Sequence, residues 1–298
     1  MSAGVPTRAL RIATRGSALA LAQTELAVSA LRHASHVETE VMVVHSGGDR
    51  APDVPAALME GQGWFTAELE QAVLDGRADA AVHSAKDLPT ELASGLRVVA
   101  FLPRGDARDA LVTLAGGGLA SLRDGATVGT SSPRRAAFVR ALRPDLRVVG
   151  MRGNVDTRLR KLEEGEVDAL LLASAGLDRL GRGEHISERL DPHAFVPAPA
   201  QGVIAIEAGV GSTADAVCKQ LDDASARVCV VAEREVLRRL GAGCRLPLGA
   251  WARVEAGQLV LVAALAGADG LVRTVELSGE VGEARALGDL VAGRLGAA

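Results

Sequence analysis

Short apolar runs alternate with segments of helical spacing along the first two thirds of the chain. The runs have the length of buried strands, and the segments between them place apolar side chains on one helix face. The predicted strands cover residues 9–13, 40–45, 80–83, 97–101, 110–114, 127–129, 146–150, 167–173 and 203–207. Helices are predicted over residues 17–32, around 65–76, from 132 onward and over 154–164. This alternation predicts an α/β fold with a largely parallel sheet.

A short internal echo accompanies this alternation. Residues 75–80 (DGRADA) resemble residues 164–169 (EGEVDA), and each segment leads from a predicted helix into an apolar strand. A repeated unit of this kind predicts two related α/β domains.

The last third of the chain has a different pattern. Apolar side chains line one face of a predicted helix over residues 228–240, and a final helix is predicted over 283–295. Three strand-like runs lie between the two helices, at 247–254, 258–266 and 271–278. Asp269-Gly270 joins the last two runs and is typical of a hairpin turn. We therefore expect a small antiparallel sheet with helices packed on it.

Composition and charge exclude several classes of function. The 298 residues carry a formal net charge of −4, which gives no general attraction to nucleic acid or to anionic membranes. Aromatic residues make up only 2% of the chain and tyrosine is absent, so a base-stacking surface is not expected. Neither a secretory segment nor a membrane-length apolar stretch is visible, which predicts a cytoplasmic protein without a membrane partner.

The cysteines and histidines do not follow the spacing of metal ligands. Cys218, Cys229 and Cys244 are odd in number and form no CxxC pair, and the six histidines form no HxH or HExxH pattern. We therefore expect no metal site and no disulfide framework.

Three predicted strand-to-helix junctions carry arginine and hydroxyl side chains. They are Thr14–Ser17, Ser131–Arg135 and Met151–Arg158. Helix N-termini bind anions, and ligands of open α/β sheets bind at the carboxyl ends of the strands. Taken alone, Thr14–Ser17 is more typical of a capped surface turn, Ser131–Arg135 is equally typical of one, and Arg158 can simply pair with Asp156 or Glu163 at the surface. Together they favour a ligand with several carboxylates or phosphates, and the adjacent Arg134 and Arg135 suggest that an external anion compensates them.

Two further segments carry candidate chemistry. Asp87 lies beside Lys86 in the loop after a predicted strand, where a carboxylate can stabilise a cationic intermediate or simply pair with the lysine. Cys244 lies on a glycine-rich turn beside Arg245, where a thiol is more reactive than one in an apolar helix. An inert turn cysteine is an equally good interpretation of this segment.

Taken in order, these segments resemble the porphobilinogen deaminase (hydroxymethylbilane synthase) family. The resemblance runs from about residue 10 to about residue 249. It rests on ATRGSALA (13–20), HSAKDLP (83–89), GTSSPRR (129–135), RGNVDTR (152–158), AGLDRLG (175–181) and GCRLPLG (243–249).

The resemblance implies three domains. Two are similar to the halves of periplasmic binding proteins, with the active site in a cleft, and the third is a small α+β domain that carries the cofactor cysteine. The bounds that we expect are 1–102 with 199–217 for the first, 103–198 for the second and 218–298 for the third. The proline-rich run 195–202 is the expected hinge or crossover.

The resemblance also implies an activity and its residues. The family joins four porphobilinogen units head to tail with loss of ammonia and releases hydroxymethylbilane by hydrolysis. The primer is a dipyrromethane cofactor held by a thioether, here on Cys244, and Asp87 is the implied catalytic residue. The other implied cofactor-binding residues are Lys86, Ser131, Ser132, Arg134, Arg135 and Gly153. The implied substrate-binding residues are Arg15, Ser17, Arg152, Arg158 and Arg179. A monomer is expected.

This sequence departs from the family pattern in a few places. Gln62 and Leu58 stand where lysines are common, Ser46 stands where threonine is usual, and Ala200 replaces a frequent glycine. Two rival interpretations remain open from the residues: a non-catalytic two-domain module that binds a small anion, and an enzyme of phosphorylated substrates with Cys244 as nucleophile.

Overall fold

The computed structural model describes residues 8–44, 66–241 and 246–296. The chain divides into two compact units, each made of two stretches of sequence. Unit 1 comprises Met1–Arg104 and Val203–Arg227, and unit 2 comprises Gly105–Gly202 and Val228–Ala298.

Unit 1 is built on a five-stranded mixed sheet. Its strands are β1 (Leu10–Thr14), β2 (Thr39–Val43), β3 (Ala80–Ser84), β4 (Leu96–Phe101) and β10 (Ile204–Gly209), in the order β2-β1-β3-β10-β4. Its helices include α1 (Ala18–Ser35), α2 (Ala67–Leu74) and α6 (Thr213–Cys218), with 3₁₀ turns at Ala85–Asp87 and Lys219–Leu221. β1 pairs in parallel with β2 and β3, whereas β10 runs antiparallel to β3 and β4.

Apolar side chains cover both faces of this sheet. On one face, Ile12 and Val82 pack against Val28 and Leu31 of α1. On the other face, Ala13 and Ala81 pack with Leu69 and Val73 of α2. The alternation of side chains along each strand therefore places one set of residues under each helix layer.

Unit 2 contains a second five-stranded sheet. Its strands are β5 (Asp109–Thr113), β6 (Thr127–Gly129), β7 (Arg147–Val149), β8 (Ala169–Ala173) and β9 (Glu188–Arg189), in the order β7-β6-β8-β5-β9. The helices beside it are α3 (Pro133–Leu142), α4 (Val155–Glu163) and α5 (Ser174–Arg179), with 3₁₀ turns at Leu119–Ser121 and Gly183–His185.

The two sheets have the same topology, which confirms the prediction of two related α/β domains. Each has three parallel strands in the order second-first-third, followed by two strands that pair antiparallel. The prediction of a largely parallel sheet is wrong, because half of the strand pairings in each sheet are antiparallel. The fourth position is filled in unit 1 by β10, which comes from a distant stretch of sequence, and in unit 2 by β5, the first strand of that unit along the chain. The direction of these two strands therefore does not follow the local alternation.

The third sheet has three antiparallel strands, as the hairpin pattern predicted. They are β11 (Leu248–Glu255), β12 (Gln258–Ala266) and β13 (Val272–Glu280), and the helices α7 (Ala224–Arg239) and α8 (Ala284–Gly296) follow the predicted positions, with a 3₁₀ turn at Val281–Glu283. The predicted fold class, two α/β domains with a small α+β region, is confirmed.

Both faces of the third sheet are covered within unit 2. Leu259 and Leu261 pack with Val236 of α7 and Val291 of α8. Opposite them, Trp251 and Val262 share a core with Phe138 of α3 and with Phe195. The shared core explains why this sheet and the second α/β sheet form one compact unit. The three-domain bounds, with a third domain at 218–298, stay a prediction.

Within the described ranges, no helix combines the length and the apolarity that a bilayer span requires.

Candidate active site

The carboxyl end of β1 leads into the first predicted anion junction. Ser17 is the N-cap of α1, and its hydroxyl accepts a hydrogen bond from the Ala20 N–H at 3.3 Å. The buried hydroxyl of Thr14 accepts a hydrogen bond from Thr24 at 2.7 Å and fixes the strand end against the helix. Arg15, half-buried, lies between these two anchors.

The end of β3 carries the predicted catalytic carboxylate. Asp87 ends the 3₁₀ turn Ala85–Asp87 and is exposed, and its carboxylate has no hydrogen-bond or ion-pair partner in the part of the chain that the structure describes. Ser84 and Gln23 are joined by a side-chain hydrogen bond at 3.0 Å, and the Ala85 N–H donates to the Val203 carbonyl at 3.0 Å. The turn is thus anchored at its start while its carboxylate stays accessible.

A buried cluster of titratable groups lies beneath this turn, which the sequence interpretation missed. His83 Nε2 lies 3.0 Å from Glu207 Oε2, and both side chains are inaccessible to solvent. Glu70 of α2 is close to both, and burial together with the charge of Glu207 raises its pKa. A raised pKa favours a protonated Glu70 beside the Glu207–His83 pair.

The end of β6 carries Ser131 and Ser132. Ser132 is the N-cap of α3, with Pro133 at the first helical position, as the sequence predicted, and its hydroxyl accepts from the Arg135 N–H at 3.4 Å. The Ser131 hydroxyl donates to the Met151 carbonyl at 2.7 Å. This bond ties the loop after β6 to the loop after β7.

Arg134 and Arg135 share a counterion inside the protein. Asp109, at the start of β5, lies 2.7 Å from Nη1 of Arg134 and 2.7 Å from Nε of Arg135, and all three side chains are buried. The two guanidinium groups lower the pKa of Asp109 against the opposing effect of burial. The sequence predicted an external anion that compensates both arginines, but Asp109, 25 positions before Arg134, already neutralises one of the two charges, so only one positive charge is left in excess.

Arg134 and Arg135 differ in their remaining contacts. Arg134 also donates to the Val196 carbonyl at 2.8 Å and lies near the Phe138 and Phe195 rings, so it is enclosed by the core. Arg135 donates to the Leu171 carbonyl at 3.0 Å. That either arginine binds a cofactor stays a prediction.

The loop after β7 brings two more predicted residues together. Gly153 has φ +112°, and a Cβ there would lie 2.7 Å from Thr157 Cγ2, so the position requires glycine. Asn154 caps α4 through the Thr157 N–H at 2.9 Å, and Arg158 Nε donates to the Gly153 carbonyl at 2.8 Å.

Positive charge accumulates at this loop. Burial, with repulsion from Arg135 and Arg152, lowers the pKa of Arg158 to about 10. Arg135 and Arg152 therefore each lie close enough to Arg158 to repel its positive charge. An anion placed among them would relieve that repulsion.

Arg179 lies at the end of α5, after β8. Its Nη2 donates to the Gly202 carbonyl at 2.6 Å, and burial lowers its pKa. A Cβ at Gly202 would lie 2.7 Å from the Gly105 carbonyl oxygen, so two backbone segments pass closely beside this guanidinium. Ala200, two residues before, has φ +62°, which is the conformation that glycine favours.

The parallel strands explain which residues meet. The carboxyl ends of β6, β7 and β8 lie at one edge of the second sheet and present Ser131, Ser132, Arg152 and Arg158. The carboxyl ends of β1 and β3 lie at one edge of the first sheet and present Arg15, Ser17, Lys86 and Asp87.

Several predicted positions lie outside the described residues. They are Cys244, Ser46, Leu58 and Gln62. Cys218 and Cys229 are buried and do not form a disulfide with each other, and burial raises the pKa of the Cys218 thiol to about 12, as expected for an inert core cysteine. Among the described residues, no group of three or more His, Cys, Asp or Glu side chains could hold a metal ion.

Hydroxyl and guanidinium groups at the carboxyl edges of two related mixed sheets are typical of α/β proteins that bind anionic small molecules. Family models define the class further. The model "Porphobilinogen deaminase, dipyromethane cofactor binding domain" matches residues 10–216, and "Porphobilinogen deaminase, C-terminal domain" matches residues 227–297. The chain belongs to the porphobilinogen deaminase family, as the sequence motifs predicted.

Individual relatives agree with this assignment. The chain is 46% identical over 291 residues to a porphobilinogen deaminase of Roseiflexus castenholzii, covering 96% of this chain and 95% of the relative. It is 47% identical over 266 residues to one from Acidothermus cellulolyticus, covering 88% and 80%. A periplasmic substrate-binding protein from Coxiella burnetii is similar at a TM-score of 0.43 and 13% identity, covering 71% of this chain and 89% of that one. A likeness of that degree carries no argument about function.

Proposed function

We propose that this chain is a transferase that joins four porphobilinogen molecules head to tail, with loss of one ammonia for each, and releases hydroxymethylbilane by hydrolysis. The observation that carries the proposal is the match to the family's cofactor-binding and C-terminal models over nearly the whole chain. The product serves tetrapyrrole biosynthesis, the route to porphyrins and haem.

The charge at the edge of the second sheet supports binding of a dipyrromethane cofactor. Each pyrrole ring carries an acetate and a propionate, so the cofactor is a polyanion. Burial, together with repulsion from Arg135 and Arg152, lowers the pKa of Arg158, and carboxylates would offset that repulsion. When bound through Cys244, the cofactor supplies the pyrrole carbon to which the first substrate unit is joined.

The remaining predicted residues take roles according to their side chains. Ser131, Ser132, Lys86, Arg134, Arg135 and the Gly153 backbone are assigned to the cofactor. Arg15, Ser17, Arg152, Arg158 and Arg179 are assigned to the substrate carboxylates. Hydroxyl and guanidinium donors hold carboxylates in a fixed orientation, which aligns the reacting rings.

Asp87 is the proposed catalytic residue. Loss of ammonia from porphobilinogen leaves an electron-poor ring whose N–H becomes a stronger donor. The exposed Asp87 carboxylate, without a competing cation in the described residues, can accept that N–H and stabilise the positive charge. The anchored start of the turn, at Ser84 and Ala85, holds the carboxylate in place.

The working state that we propose is a cytoplasmic monomer with no nucleic-acid or membrane partner. The mildly acidic net charge of −4 supports the absence of a nucleic-acid or membrane partner. Cys218 and Cys229 are buried and not joined by a disulfide, which suits a reducing compartment.

Intact-protein mass spectrometry tests the proposed function. The purified chain is expected to carry a covalent adduct of two pyrrole units that survives denaturation. Cys244→Ala should lose the adduct, whereas Cys218→Ala, which replaces a buried core thiol, should keep it. An unmodified mass after exposure to porphobilinogen would favour a non-catalytic anion-binding module instead.

A further inference from the structure

The carboxylate of Asp109 organises the polar interior beside the second sheet. It receives a forked pair of bonds from Arg134, with Nη1–Oδ2 at 2.7 Å and Nη2–Oδ1 at 3.1 Å. Nε of Arg135 and Nε2 of Gln201 also donate to Oδ1, at 2.7 and 3.1 Å. Asp109 has no exposed surface, so it cannot touch a ligand.

The two arginines that share this carboxylate face different surroundings. Arg134 is enclosed by Asp109, the Val196 carbonyl and two phenylalanine rings. Arg135 is also mostly buried, yet its charge reaches Arg158 at the loop after β7. Arg135 is therefore the member of the pair whose charge contributes to the anion site.

Gln201 ties this interior to the proline-rich segment. Its amide donates to Asp109 and to the Ala107 carbonyl at 2.8 Å, and its oxygen lies 3.5 Å from Nη2 of Arg135. The preceding residue, Ala200, donates its N–H to the buried carboxylate of Glu233. Asp109 and Gln201 thus hold the Arg135 guanidinium from two sides.

We propose that Asp109, supported by Gln201, is a positioning residue that fixes the Arg135 guanidinium in the orientation in which it holds a carboxylate of the bound pyrrole chain. This inference rests on the proposed function. Asp109 acts only through Arg135, because its buried carboxylate is a fixed acceptor for Nε of Arg135. Its single negative charge does not cancel the two positive charges of Arg134 and Arg135. Two arginines on one carboxylate keep a net positive charge at this place, which suits an anionic ligand.

A double-mutant cycle tests the proposal on the full-length enzyme. Asp109→Asn and Arg135→Lys are each expected to raise the KM for porphobilinogen about tenfold. The KM of the double variant is also expected to be about tenfold above wild type, because the effects of two residues that act as a unit do not add. Thermal denaturation of each variant is recorded in parallel. A stability change alone would not produce this pattern in the KM of the folded enzyme.

Asp168→Asn is the matched control. It removes another ion-paired aspartate from the same sheet, at the opposite strand end, and is expected to lower stability while KM stays at the wild-type value. If Asp109→Asn does not fold, the same cycle is run with Gln201→Met, which leaves every charge in place. Gln201→Met is then expected to raise the KM about threefold. Combining it with Arg135→Lys is expected to raise the KM no further than Arg135→Lys does alone.

The outcomes separate the two claims. Additive KM changes, or a wild-type KM in a folded Asp109→Asn enzyme, would overturn the positioning role while the activity stands. Absence of both the pyrrole adduct and turnover in the wild-type chain would overturn the proposed function itself.

Discussion

Asp168 occupies in unit 2 the place that Asp79 occupies in unit 1. Asp79 accepts a hydrogen bond from the Arg11 N–H at 2.8 Å, and Asp168 accepts one from the Thr127 N–H at 2.7 Å. Asp79 therefore links the start of β3 to β1, and Asp168 links the start of β8 to β6. An arginine covers each of them, Arg8 in unit 1 and Arg123 in unit 2. The similar sequence segments at 75–80 and 164–169 therefore form the same hydrogen-bond arrangement in both units.

The stability supplied by Asp168 should depend on pH. Hydrogen bonds from Thr127, with Arg123, lower the pKa of Asp168 from 3.8 to about 2. A lowered pKa means that the stabilisation is fully present above about pH 4 and is lost as pH falls towards 2. Asp168→Asn should cost about 1–2 kcal/mol of unfolding free energy at pH 7 and less at pH 3, measured by urea denaturation. Equal losses at both pH values would contradict this account.

Glu70 should have the opposite dependence. Burial and Glu207 raise its pKa, so the protonated form is favoured in the folded state. The stability present below the unfolded value of about 4.5 is lost as pH rises through the folded pKa. Glu70→Gln mimics the protonated side chain and should flatten the decline in unfolding free energy as pH rises above about 4.5. Glu25→Gln, at an exposed site on α1, serves as control and should retain the wild-type decline.

Asp87→Asn should separate catalysis from folding. The exposed side chain makes no described contact, so the melting temperature should stay at the wild-type value and the pyrrole adduct should remain. Ammonia release should fall by about a hundredfold or more, because the carboxylate that stabilises the cationic ring is gone. Asp124→Asn, another exposed carboxylate, should leave the rate unchanged. Wild-type turnover in Asp87→Asn would remove Asp87 from the mechanism.

Gly153→Ala should distort the loop after β7. The new Cβ would meet Thr157 Cγ2 at 2.7 Å and would occupy a backbone with φ +112°. A cost of about 1–3 kcal/mol in unfolding free energy is expected from strain of this kind. KM should rise too, since the Gly153 carbonyl accepts from Arg158. Gly150→Ala, where a Cβ meets open space, should change neither quantity.

Local features of the fold could be predicted from the sequence. The helix caps at Ser17, Ser132 and Asn154 were identified, because a hydroxyl or amide before a helical run carries its own signal. The hairpin of the third sheet was identified from Asp269-Gly270 for the same reason.

Long-range features could not be predicted in this way. The antiparallel position of β10 depends on pairing with β3, which lies more than a hundred residues earlier in the chain. Asp109 lies next to a predicted strand, and no local pattern shows that two arginines in α3 will reach it. The arginine motifs were therefore found, whereas the buried carboxylate that they share was missed.

The placement of Trp251 has a spectroscopic consequence. The chain has two tryptophans and no tyrosine, and the Trp251 indole lies 4.8 Å from the Arg253 guanidinium carbon and 5.5 Å from the His193 ring. Trp251 also packs against the core that contains Phe138 of α3, so its near-ultraviolet emission is an intrinsic reporter of the packing between the third sheet and α3. A variant with Trp64 replaced would keep Trp251 as its single tryptophan. Its emission would then report, in real time, any loosening of the contact between the third sheet and α3.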